Sequence, residues 1–86
     1  MKTHELKTID PYFEMVWNGN KKFELRKNDR DFKKGDALVL KEYIPSEERY
    51  TNRTIWCVVT CVIEYTAAMQ KDYVALGLAN FQCYNS

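Results

Sequence analysis

Polar and apolar side chains alternate from Lys2 to Ile9, with His4, Leu6 and Thr8 on one side. A period of two predicts a strand. The spacing then turns helical. Asp10 is a good N-cap, Pro11 suits the first helical position, and Phe13, Val16 and Trp17 form an apolar stripe over roughly two turns. Asn18-Gly19 predicts the end, because glycine most readily takes the left-handed conformation that closes a helix. Alternation resumes at Lys22–Lys27, with Phe23 and Leu25 expected inward and Glu24 and Arg26 on the other face.

Turn chemistry at Asn28-Asp29 and Gly35-Asp36 brackets the next connection, and Ala37–Tyr43 reads as a third strand. Pro45-Ser46 and the charges after it predict a loop or hairpin. The longest apolar run is Arg53–Tyr65, rich in β-branched residues. It places Ile55, Cys57, Val59, Cys61 and Ile63 on one face, and Trp56, Val58, Thr60 and Val62 on the other. A strand apolar on both sides is central, or bends through a small barrel. Ala67–Asp72 is expected to form a turn of helix and Tyr73–Leu78 a last strand. The order β-α-β-β-β-β predicts an α+β, mostly β fold: a small, partly closed barrel, mostly antiparallel, with the helix plugging one end.

Composition narrows this picture. The chain of 86 residues is expected to form a single domain over 1–86, and 45% hydrophobic content suits a packed core. Six Tyr, four Phe and two Trp make much of that core aromatic. No apolar run is long enough to span a bilayer, and no secretory leader is evident, so no membrane partner and a reduced, cytoplasmic setting are expected. Cys57 and Cys61 on one strand face are roughly 13 Å apart, too far to share a tetrahedral ion. No metal and no cofactor are therefore expected, and the three cysteines read as reduced thiols.

Net charge is +1, yet Lys21–Asp36 carries seven Lys or Arg against four Asp or Glu, a local +3 that leaves −2 for the rest. Lys33 and Lys34 flank a turn and read as solvated. Lys21 lies where the chain emerges from the helix, and Glu24 and Arg26 share one strand face just beyond it. Asp29 and Arg30 are expected to close a small network with Arg26. An arginine held by a carboxylate keeps its planar fork aimed at a phosphate or a base edge. A purely structural ion-pair network would have the same composition.

Gly19-Asn20-Lys21-Lys22-Phe23-Glu24-Leu25-Arg26 matches the G-x-K-x-x-E-x-R signature of the activating signal cointegrator homology (ASCH) family. The opening HELK, the segment NDRDFKKGD with its following LVLKEY, and the closing YVALGL resemble a small bacterial and phage branch of that family. The resemblance covers nearly the whole chain. It implies a PUA-like barrel whose cleft against the helix binds RNA or a nucleotide. Lys21, Glu24 and Arg26 would line that cleft, joined by Asp29, Arg30 and the first-strand His4. In that reading Lys21 and Arg26 meet phosphate or a carbonyl edge, and Glu24 accepts from an exocyclic amine such as that of cytosine. Tyr43 and Trp56 are candidates for stacking on a base, or else core.

Some ASCH-like proteins resemble amidohydrolases that remove an acyl group from the exocyclic nitrogen of cytidine, using a Lys, a Thr and a distant Glu, for which no motif anchors Glu64 here. This chain keeps the Lys as Lys21, but Glu24 stands where the Thr would align. Others are regarded as ribonucleases, for which Lys21 and Glu24, with His4, would supply acid and base chemistry. A small hydrolase acting on acylated nucleosides or on RNA is thus the alternative to a binding module. A protein-interaction adaptor is the further one.

Overall fold

A computed structural model describes residues 1–64 and 72–85. Strand β1 (Thr3–Thr8) leads into helix α1 (Tyr12–Trp17), followed by β2 (Phe23–Lys27), β3 (Ala37–Ile44), β4 (Arg49–Ile63) and β5 (Tyr73–Asn85). A short 3-10 turn at Pro45–Glu47 joins β3 to β4. The turn of helix expected over Ala67–Asp72 lies outside the described residues, apart from Asp72 itself.

The five strands form one sheet in the order β1-β3-β4-β5-β2, and only the β1–β3 pair is parallel. The sheet curls into a half-barrel, so its two edge strands approach each other. Side chains, not a backbone ladder, bridge the gap. The Arg26 guanidinium on β2 donates through Nη2 to the Lys7 carbonyl and the Thr8 hydroxyl on β1, each at 3.0 Å. Arg30, just past β2, donates to the Glu5 carbonyl at 3.1 Å.

His4, Leu6 and Thr8 are the buried face of β1, as the alternation predicts. Leu38, Leu40, Ile55, Cys57, Val59, Val74 and Leu76 fill the interior under Phe13 and Val16 of α1. Gly19 takes φ +85 at the helix end, and its amide donates to the Val16 carbonyl at 3.1 Å. At the other end Pro11 occupies the cap position, one residue later than expected. Asp10 contributes differently, its carboxylate accepting from the Glu14 amide at 3.2 Å.

Two facing assignments are corrected. Phe23 and Leu25 are not inward: they are 46% and 55% exposed, while Glu24 is buried. The parity of the strand is right but its buried side is the polar one, because Glu24 meets two cations there. In β4, irregular register between Val59 and Cys61 interrupts the alternation. Val62, not Cys61 or Ile63, then packs against the core, and Cys61 and Ile63 are exposed. Thr60 and Cys61 both lie over Gly77, where an added Cβ would come within 2.8 Å of Thr60 Oγ1 and 2.7 Å of Cys61 Sγ. β5 continues past Leu78 to Asn85.

Candidate functional site

Lys21 follows α1 and is fixed by its own backbone, whose amide donates to the Met15 carbonyl at 2.9 Å. Its side chain turns under the helix and is 6% exposed; Glu24 is 3% exposed. Burying either charge alone would be costly, so they are paired. Lys21 Nζ donates to Glu24 Oε1 at 2.6 Å, and Arg26 Nε donates to Glu24 Oε2 at 2.7 Å. One carboxylate thus holds two cations, and the trio carries a surplus of one positive charge.

This cluster sits at the head of a cleft of ≈ 780 Å³ between α1 and the two edge strands. Five basic side chains line it (Lys7, Lys21, Arg26, Lys27 and Arg30) against two acidic ones, Glu24 and Asp29. The aromatic lining is Tyr12, Phe23, Phe32 and Tyr73. Lys21 Nζ lies 5.1 Å from the centre of the Phe23 ring and 5.9 Å from that of Tyr12. The exposure of Phe23 and Leu25 therefore has a local meaning, since both rim the cleft.

Lys21, Glu24, Arg26, Asp29 and Arg30 all line this one cleft. The expected Asp29–Arg30–Arg26 network does not form among the described residues. Asp29 and Arg30 are exposed, and Arg30 reaches β1 instead. His4 is not in the cleft lining. Its Nε2 lies 2.8 Å from Asp36 Oδ2 and its ring packs 4.8 Å from Phe32. Asp36 also accepts from the backbone amides of Lys2 and Lys33, each at 3.0 Å. The hydrogen bond with His4, then those amides, hold its carboxyl down at about 2, against the opposing effect of burial. This dyad ties β1 to the Lys33–Asp36 turn, and its chemistry is separate from Lys21 and Glu24.

Tyr43 and Trp56 are half-buried and neither lines the cleft; Tyr43 lies beneath Lys7, 4.2 Å from its ammonium, and against Tyr50. A second ion cluster was not anticipated. Arg53 Nε and Nη2 donate to Glu42 at 2.9 and 2.8 Å, and Nη2 also donates to Glu14 at 2.9 Å. The guanidinium lies 4.7 Å from the centre of the Trp17 ring and 5.2 Å from that of Phe13. Hydrogen bonding to Arg53 lowers the Glu42 carboxyl, and Glu42 in turn raises the guanidinium. A signal for this pair existed: Glu42 shares parity with inward Leu38 and Leu40, and Arg53 with inward Ile55 and Cys57.

Cys57 is buried, and burial followed by the charge of Glu24 pushes its thiol up to about 12. Among the described residues no group of three or more His, Cys, Asp or Glu is placed to hold a metal ion, and no helix is long and apolar enough to cross a membrane.

Fold and site together define a small, mostly β half-barrel with a cation-lined, aromatic cleft between its helix and its open edge. The chain belongs to the family described as a domain of unknown function, DUF3850, whose model matches residues 3–78. It is also similar to a protein of Escherichia phage P2 described as an uncharacterized 12.9 kDa protein in the GpA 3′ region, at 36% identity over 75 residues. That match takes in 87% of this chain and 66% of the relative, so the chain spans just under two thirds of the relative's length.

Proposed function

We propose that the half-barrel is a PUA-like fold of the ASCH type and that its cleft binds single-stranded RNA or a nucleotide. One observation carries the reading: Lys21 and Arg26, both held by the buried Glu24, meet at the head of a ≈ 780 Å³ cleft with aromatic rings on its walls. Fixed cations suit phosphates and carbonyl edges, and exposed rings suit the faces of unstacked bases. Holding both cations on one carboxylate reduces the ordering left to do when ligand arrives.

The hydrolytic alternative is less well supported. His4 is engaged with Asp36 outside the cleft, and both Glu24 oxygens accept from cations, so the acid–base set expected of Lys21, Glu24 and His4 does not converge. An adaptor role would be favoured by Glu24 and Arg26 on a convex face, whereas both line a concavity.

The test is fluorescence anisotropy of a short labelled RNA across a salt series. Lys27 and Arg30 line the cleft but lie outside the buried trio, so Lys27→Ala and Arg30→Ala report on binding without unsettling the fold. Each is expected to weaken binding severalfold and to lower the slope of log K against log salt by about one contact's worth. Affinity unchanged in both variants would overturn the reading.

A further inference from the structure

Around the buried trio the cleft offers donors, although the exposed Asp29 carboxylate and the Tyr12 and Tyr73 hydroxyls also line it. Both Glu24 oxygens are occupied, Oε1 by Lys21 Nζ and Oε2 by Arg26 Nε. The Thr8 hydroxyl accepts from Arg26 Nη2 and itself donates to the Leu6 carbonyl at 3.3 Å. Lys21 Nζ carries three hydrogens and, among the described residues, Glu24 is its hydrogen-bond partner. Arg26 uses Nε and Nη2, and its Nη1 has no partner among the described residues. The spare hydrogens of the trio therefore belong to Lys21 and Arg26, while each Glu24 oxygen already accepts from a cation.

The surroundings say what shape these donors would meet. Tyr12 and Phe23 flank the Lys21 ammonium, and both rings are about half exposed to the cleft. Leu6, Met15 and Phe32 add apolar surface below and beside them. A flat, neutral ring buries its faces well here, whereas a phosphate would have to shed its water against hydrocarbon. Phosphates fit the exposed Lys27 and Arg30 farther out.

We infer that the head of the cleft takes the keto edge of a base, as in uracil or guanine, and discriminates against the exocyclic amine of cytosine or adenine. This rests on the nucleotide-binding reading and reverses one expectation: Glu24 orients the cations and does not itself read an amine. Uracil offers O4 as an acceptor where cytosine presents an N4 amine, which would set donor against donor at Lys21 and Arg26. Guanine offers O6 and N7 together, and adenine replaces O6 with an amine.

The experiment compares labelled U8, C8 and A8 on the full chain, with uridine, cytidine and ribose 5-phosphate as competitors of U8. The expected result is U8 tighter than C8 and A8 by about tenfold, with uridine competing better than cytidine. In Arg26→Lys, checked for folding by thermal melt, the preference should fall toward parity because lysine cannot present the Nη1 edge. Tyr12→Leu, at an exposed position outside the ion trio, should weaken U8 severalfold while the protein stays folded. Binding of all three oligomers with equal affinity, or with C8 or A8 preferred, overturns the keto-edge inference and leaves the RNA reading standing. Competition by ribose 5-phosphate but not by uridine also overturns it, by placing a phosphate at Lys21 and Arg26. No binding of any oligomer overturns both.

Discussion

Two clusters in this small protein are built around the same glutamate–arginine pair, and they stand in different surroundings. In each, a buried glutamate holds an arginine: Glu24 with Arg26, and Glu42 with Arg53. Around Glu42 the second partner is another carboxylate, Glu14, so the cluster carries a surplus negative charge. Its guanidinium is set against Trp17 and Phe13, and it fastens α1 to β3 and β4. Around Glu24 the second partner is a cation, Lys21, and the surplus is positive. That cluster lines a cleft whose walls include exposed rings. The two clusters differ in the sign of the surplus, set by Lys21 in one and Glu14 in the other, and in what lies beyond the last charged atom.

The largest expected effects would test whether both clusters also stabilise the fold. Glu24→Ala would leave Lys21 and Arg26 without their anion, whereas Glu42→Ala would leave Arg53 with the more exposed Glu14 alone. Removing one member of a buried pair costs on the order of 3–5 kcal/mol, so urea unfolding should show a loss of that order for Glu24→Ala and a smaller one for Glu42→Ala. A loss below about 1 kcal/mol for Glu24→Ala would mean that its cluster is more hydrated than its burial implies.

Next in size is a site with no charge at all. Gly77→Ala places a Cβ against Thr60 and Cys61, and overpacking of this kind costs about 1–3 kcal/mol by urea unfolding. A neutral result would show that the exposed Thr60 and Cys61 side chains rotate aside.

Asp36 supplies a smaller and pH-dependent term. Its carboxyl is held below the usual value of 3.8, at about 2, so its contribution is complete above about pH 4 and fades as pH falls toward 2. Asp36→Asn should lower stability at neutral pH and flatten the acid limb of the stability–pH curve between those values. An acid limb identical to that of the wild type would contradict the pairing with His4, Lys2 and Lys33. The smallest expected effect on stability is at Arg30, where an exposed guanidinium donates to a strand carbonyl. Arg30→Ala should change unfolding free energy by no more than about 0.5 kcal/mol, whereas the proposed function expects it to weaken RNA binding severalfold.

Much of the architecture was legible in the chain, and the misses share a cause. Strand β1, the helix stripe, the Gly19 stop and the inward set of β4 up to Val59 follow from periodicity, because each contrast in burial there is apolar against polar. Periodicity reports parity but not which side is buried. At Phe23–Lys27 the buried side is ionic, since Glu24 and two cations neutralise one another, and the apolar residues are left to rim a cleft. The flip at Cys61 depends on an irregularity opposite Gly77, a partner sixteen positions away along another strand. Long-range pairs such as His4 with Asp36 leave no local trace. The site residues nearest the helix were found together because Lys21, Glu24 and Arg26 are close in sequence. The aromatic walls from Tyr12, Phe32 and Tyr73 come from three separate elements, and none was singled out beforehand.

The most direct measurement is an amide chemical-shift titration of the labelled protein with a short uridine-rich RNA, which perturbs no residue. The largest shifts should fall on Ile9–Met15 and Lys21–Arg30, around the cleft, while Glu42 and Arg53 stay nearly still. Shifts centred on the Glu42–Arg53 cluster, or none at saturating RNA, would contradict the assignment of the cleft.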